Sequence, residues 1–146
     1  MLAYAVLACV VLAFTGCGQQ EARARIPVSI QAADLPGEPW QRDKLDPIAA
    51  DAFPQTLRKL GATTAQSAVF RQADRSVSVR VFQLANGTVA FEASQTYPRS
   101  ANEYYFQMGA SFVVVEAETL RPEERRPFLV AFQAAAMPQA QQAQGQ

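Results

Sequence analysis

Histidine is absent from this 146-residue chain, and its two cysteines, Cys9 and Cys17, both fall within the first seventeen residues. From Gly18 onward there is neither imidazole nor thiol. That excludes a zinc site built on nitrogen or sulfur ligands and a disulfide within residues 18–146. It also removes the usual general base for a serine or cysteine nucleophile. An excess of charge of either sign is lacking too. Thirteen Lys and Arg balance thirteen Asp and Glu, so there is no electrostatic case for a nucleic-acid partner. Lysine is scarce, with Lys44 and Lys59 beside eleven arginines, which reads as coding bias. Tryptophan occurs once, as Trp40. No charged residue precedes Glu21.

What is present first is the apolar start. Its uncharged run covers about 16 residues, short of the roughly 20 that a membrane-spanning helix needs. It suits the apolar core of a secretory signal with a small-residue cleavage site. The run Val11-Leu12-Ala13-Phe14-Thr15-Gly16-Cys17 resembles a bacterial lipoprotein signal. The resemblance implies cleavage before Cys17 and acylation (palmitate among the chains) of its thiol and new amino group. Phe14 departs from the pattern, where Leu is usual, as does the lack of a basic residue before Arg23. The alternatives are an uncut signal-anchor or an ordinary buried cysteine. Cys9 reads as a small hydrophobe inside the signal. Each buried CH₂ contributes about 0.8 kcal/mol, so two or three acyl chains hold firmly where one is marginal. Gly18, rather than Asp, follows the cysteine. This implies the inner leaflet of the outer membrane, facing the periplasm, in a cell with two membranes.

The chain then divides into a signal at 1–16, a lipidated tether at 17–33, one domain at 34–136 and a Gln/Ala-rich tail at 137–146. In the tether Ile26, Val28 and Ile30 alternate around Pro27, which would confine any strand there to an edge. The tail has few apolar side chains to offset ordering entropy, so its composition predicts disorder. Within the domain, Asp46-Pro47 reads as a helix start, cap then proline. Ile48, Ala52, Phe53, Leu57 and Leu60 make its apolar stripe, Gly61 its stop, and Pro54 a kink or break. Ala68 and Phe70, a turn at 72–75, and alternating Val77, Val79 and Val81 predict a hairpin. Asn86-Gly87 could be a second hairpin turn or a helix cap. Val89, Ala90, Ala93 and Tyr97 favour the helix, ended by Pro98. A second hairpin follows, 103–108 and 111–117 about Gly109-Ala110. Pro122-Glu123-Glu124 opens a last helix with Phe128, Leu129 and Phe132 on its apolar face.

Two hairpin-plus-helix units after a kinked helix predict an α+β fold with a four-stranded, mostly antiparallel sheet and helices on one face. The span 34–132 resembles a family of uncharacterised bacterial envelope proteins, a domain of unknown function. The likeness lies in Leu35-Pro36 with Trp40, in Leu60-Gly61, and in Val77 to Phe82 followed by Ala90-Phe91-Glu92-Ala93. It ends with Phe112-Val113-Val114-Val115 before the final helix. It implies an envelope location and a helix at 90–97, and no reaction.

Few residues stand out chemically. Glu116 and Glu118, two apart, could pair for acid–base or cation work, but suit a solvated strand end. Asp43, Asp46 and Asp51 lack calcium-loop spacing. Arg121, Arg125 and Arg126 face Glu123 and Glu124 across helix turns. Ser111 has no nucleophile-elbow context. The second hairpin is apolar on both sides. Phe106 opposes Val113 and Tyr105 opposes Val114, so Tyr105, Phe112 and Val114 share a face. Either the Trp40 segment covers that face, or Trp40, Tyr105, Phe112 and Val114 form a contact surface. The chain therefore reads as a lipid-anchored, non-catalytic envelope domain that contacts a protein partner, with no cofactor or metal. The alternative is a small-ligand-binding lipoprotein with an aromatic-lined pocket.

Overall fold

Valines alternating with polar residues set the centre of the molecule. The computed structural model describes Leu35, residues 39–43 and residues 45–144, with side chains as far as Ala136. Cys17 and the signal and tether segments lie outside these residues. Strands β3 (Thr64–Gln72) and β4 (Arg75–Gln83) form the first hairpin, β5 (Glu103–Met108) and β6 (Ser111–Glu116) the second. The hairpins join through β4 and β6, giving the antiparallel order β3-β4-β6-β5. Phe106 lies opposite Val113 and Tyr105 opposite Val114, the register that a two-residue turn imposes.

The sheet has six strands rather than four. β1 (Gln41–Arg42) and β2 (Asp46–Pro47) both pair with the outer edge of β3. Asp46-Pro47 is thus a strand and not a helix start. An edge position tolerates the missing N–H of Pro47. The helix expected after it is broken. Residues 50–52 make one 3-10 turn, Phe53 and Pro54 are extended or capping, and α1 spans only Gln55–Lys59. Pro54 stands at the N-cap, the outcome that its ring dictates.

The end of α1 is closed by a Schellman arrangement. Ala62 N–H donates to Leu57 C=O at 3.0 Å and Gly61 N–H to Arg58 C=O at 3.1 Å. Gly61 takes φ +77° to do so. Asn86 resolves as a cap. Its side chain accepts from Val89 N–H at 3.0 Å and opens α2 (Gly87–Thr96). Gly87 abuts the β5–β6 turn, where a Cβ would lie 3.3 Å from the Gly109 carbonyl oxygen. Glycine is therefore wanted here for close approach rather than for a hairpin turn.

Helices cover both faces of the sheet, not one. On one face α1 and α2 bury Phe53, Leu57, Ala90, Ala93 and Tyr97 against Ala65, Phe82, Phe112 and Val114. On the other, α3 (Pro122–Gln144) and the Trp40 segment bury Phe128 and Phe132 against Phe70, Val77, Val79, Val113 and Val115. Each fully buried phenylalanine contributes roughly 1.5–3 kcal/mol. The reason for two covers is β6 itself, in which Phe112, Val113, Val114 and Val115 all have no exposed surface. The helix also runs on to Gln144, through the stretch whose composition suggested disorder. Alanine and glutamine are good helix formers, and they extend a helix already fixed by its packed first half.

Ala73, at the first hairpin turn, also has a left-handed backbone, φ +52°. That conformation costs a non-glycine residue about 1–2 kcal/mol. Gly61→Ala is expected to lower stability by about 1 kcal/mol, and Ala73→Gly to raise it by up to about 1 kcal/mol. Chemical denaturation of the two variants against wild type checks both signs.

Candidate ligand-binding cleft

The alternation of β3 places Ala68, Phe70 and Gln72 on the face that α3 covers. Gln72 is a polar residue in a core position, 5% exposed. Beside it the chain entry brings in Trp40, 3% exposed. Leu120, just before α3, adds to these, as do Glu123, Glu124, Pro127 and Phe128 in its first turns. With Arg75 these residues line a cleft of about 280 Å³. Trp40 meets Phe128 edge to face, with ring centroids 5.0 Å apart at 61°. The Arg75 guanidinium lies 5.9 Å from the centre of the indole ring, a distance at which cation–π attraction operates. Arg75 Nη1 also donates to Glu124 Oε1 at 2.9 Å.

Glu124 is the electrostatic hub of the rim. It accepts from the Arg121 backbone N–H at 3.1 Å and from Arg121 Nη2 at 3.0 Å. These hydrogen bonds, more than the nearby positive charge, hold its carboxyl below the usual carboxylate range, and the same contact raises Arg121. A carboxylate there also suits the N-terminal end of α3. Pro127 has no N–H, so the Glu123 carbonyl lacks its i+4 helical donor on the wall of the same cleft. The cleft thus combines an aromatic and aliphatic floor with an ion-paired rim and a spare backbone acceptor.

A second polar cluster lies on the opposite face. Arg80 pairs with Glu103 and, at 3.9 Å, with Glu116. Its Nε is buried without a partner among the described residues. Tyr97 stands beside this cluster, its ring 5.2 Å from Phe112 and 5.4 Å from Tyr105. Burial, then the Glu103 charge, pushes its phenol above the ordinary value.

The residues singled out in the sequence divide accordingly. Trp40 belongs to the cleft, but it does not meet Tyr105, Phe112 or Val114. Those three lie on the other face under α1 and α2, with Phe112 and Val114 fully buried and Tyr105 half-buried. Strand β6 of the doubly apolar hairpin is therefore core on both sides, so Phe112 and Val114 are not a contact surface, and their cover is α2 rather than the Trp40 segment. Glu116 is held by Arg80, while Glu118 lies past the strand in an exposed turn. Asp43 pairs with Arg71, Asp46 is in β2 and Asp51 in the 3-10 turn. Among the described residues no three metal-ligating side chains converge. Arg121 pairs with Glu124 as the helix spacing suggests, but Arg125 turns to the Leu120 carbonyl and to Asn102 Oδ1. Ser111 is buried and donates to Gln83 Oε1. Arg75, Gln72 and Glu124 were not legible as a site, although the inward register of Gln72 marks one end of it. Exposed Phe91 and Val130 sit on different helices and make no shared patch.

No family model, curated protein or solved structure matches this chain. Among the described residues no helix is long and apolar enough to cross a membrane.

Val114→Glu is expected to cost several kcal/mol, because it buries an unpaired charge; a thermal melt indistinguishable from wild type would refute the burial of this face. The depressed Glu124 carboxyl gives a second test. A group held low when folded adds stability above its unfolded pKa, and that stability is lost as pH falls through the folded value. Melting temperature should therefore fall on acidification below the ordinary glutamate range, about pH 4.3. Glu124→Gln should flatten that part of the profile.

Proposed function

We propose that this chain is a lipid-anchored, non-catalytic domain of the cell envelope that binds a protein partner through the Trp40 cleft. The observation that carries the reading is the cleft itself. At about 280 Å³ it falls just under the usual range of small-molecule sites, roughly 300–1,000 Å³. It has room for one apolar side chain of a partner. Trp40 and Phe128 offer that side chain a surface, the Glu123 carbonyl can accept a partner N–H, and the Arg75–Glu124–Arg121 rim is polar as interface rims are. The proposed anchor is acylated Cys17, and Gly16-Cys17 at the end of the apolar run supports it. Gly18 after the cysteine favours the outer membrane. The lack of histidine, and of cysteine beyond Cys17, supports binding over catalysis.

The second reading, a small ligand in an aromatic-lined pocket, draws on the same Trp40–Phe128 pair. The two readings separate by experiment. Wild type should fractionate with membranes and carry acyl label, and Cys17→Ser should do neither. Crosslinking and pull-down from intact membranes should recover a partner, and Glu123→Arg, on the exposed rim, should lose it without shifting the melt. Retention of the partner by Glu123→Arg and by Arg75→Gln would remove the cleft as its site. Trp40, the sole tryptophan, should shift its emission when a partner peptide binds. The same shift produced by a small-molecule extract alone would favour the second reading.

A further inference from the structure

The two edges of the sheet are treated differently by this chain. The outer edge of β3 is closed by residues 41–43 and 45–48. Besides β1 and β2, Asp43 N–H donates to Val69 C=O and Ile48 N–H to Ala65 C=O, each at 2.9 Å. These pieces are short and carry Pro47, which is how natural sheets blunt an edge. Among the described residues the outer edge of β5 has no such cover. The two-residue turn makes Met108 and Ser111 the closing bonded pair of the hairpin, and Ala117 N–H donates to Asn102 C=O at 3.1 Å. The even-numbered residues of β5 therefore bond to β6, and Glu103, Tyr105 and Gln107 direct N–H and C=O outward. No strand or side chain among the described residues bonds these groups. The strand has no proline, lysine or bulge, and Tyr104, Tyr105 and Phe106 remain half-exposed.

We propose that this edge pairs with the same edge of a second copy, joining two sheets antiparallel through β5. The strand is complementary to itself in one register. With Tyr105 opposite its own mate, Glu103 faces Gln107 of the second copy, so all three outward-facing residues of each strand are bonded. Tyr104 then faces the second copy's Phe106, an aromatic cross-strand pair on the α3 side. Slipping the strands two residues one way leaves Gln107 unpaired, and two the other way leaves Glu103 unpaired. A longer slip in the first direction sets Glu103 against Glu103, a like-charge pair that opposes association. Backbone groups supply the affinity, as in strand addition generally. The short seam implies a reversible dimer rather than an obligate one.

The register is testable by disulfide trapping in the full-length chain in its native membranes. Bonded antiparallel pairs have Cα atoms about 5.5 Å apart, within the range a disulfide spans. Tyr105→Cys should give a covalent dimer on mild oxidation. Glu103→Cys and Gln107→Cys should crosslink when the two variants are co-expressed and not when either is alone. That mixture keeps the test intact if Tyr105→Cys unfolds. Adding Gln107→Pro to Tyr105→Cys should abolish the dimer while the melt stays close to that of Gln107→Ala, which loses the same Nε2 bond to the Gly87 carbonyl, because the lost N–H points away from β6. The proposal is overturned if none of these pairs crosslinks. It is equally overturned if wild type or the exposed Thr88→Cys control crosslinks to the same extent, or if Tyr105→Cys joins a different polypeptide. The partner cleft lies at the start of α3 and not on this edge, so loss of one contact leaves the other measurable.

Discussion

Everything in this domain depends on the pairing of β4 with β6. It sets Val79 opposite Val115, Val81 opposite Val113 and Phe82 opposite Phe112, and it joins two hairpins that would otherwise each be a marginal two-stranded ribbon. Because β6 is apolar on both sides, the joined sheet cannot leave either face to water. The chain answers with two unequal covers. Short α1 and α2 shield the half of one face that carries Phe82, Phe112 and Val114. The longer α3, helped by Trp40 and Leu35, shields the other. The rest of the first face carries the part-buried ion pairs of Arg80 with Glu103 and Glu116.

Local chemistry fixes where each cover begins and ends. Pro54 stops a longer helix from forming, Gly61 closes the short one that does, and Asn86 starts the next. At the far end, Arg121 and Glu124 brace the first turn of α3 by reciprocal contacts. Thr119 adds a tie of its own. Its hydroxyl accepts from the Ser76 N–H at 2.6 Å and is 2.7 Å from the Ser76 carbonyl, taking the place of a strand partner beyond the end of β6. The turn that leads into α3 is thus pinned to the sheet, and so is the cleft that α3 overhangs.

The cleft owes its character to that pinning. Arg75 sits at the start of β4, Gln72 at the end of β3, Trp40 in the chain entry and Phe128 on α3. They come from three segments far apart in the chain, with Gln72 and Arg75 flanking one hairpin turn, and have no common motif. Their convergence gives one arginine two roles, over the indole and against Glu124. A partner that entered the cleft would meet charges already paired, which limits the desolvation cost of burying them. The bare edge of β5 is a separate feature, made by backbone geometry and not by any cluster of side chains.

The alternation of Val77, Val79 and Val81, the register of the second hairpin, the helix at 87–96 and the breaking effect of Pro54 were all legible in the sequence. Each is decided within a few residues, by side-chain period, turn length, capping or a missing N–H. The two-sided apolar character of 112–115 was legible too, but not whether its second face is covered or open to a partner. The sequence also left open which segment supplies a cover. Helices on either face satisfy the same local pattern, and only tertiary packing placed α2 over Val114 and Trp40 against Phe128. The same holds for Asp46-Pro47, whose helix-start signal gave way to pairing with β3. It holds also for residues 137–144, where growth from a packed helix outweighed a composition poor in apolar groups. Local chemistry determined the elements of this protein, and long-range burial decided which faces they share and where a cleft remains.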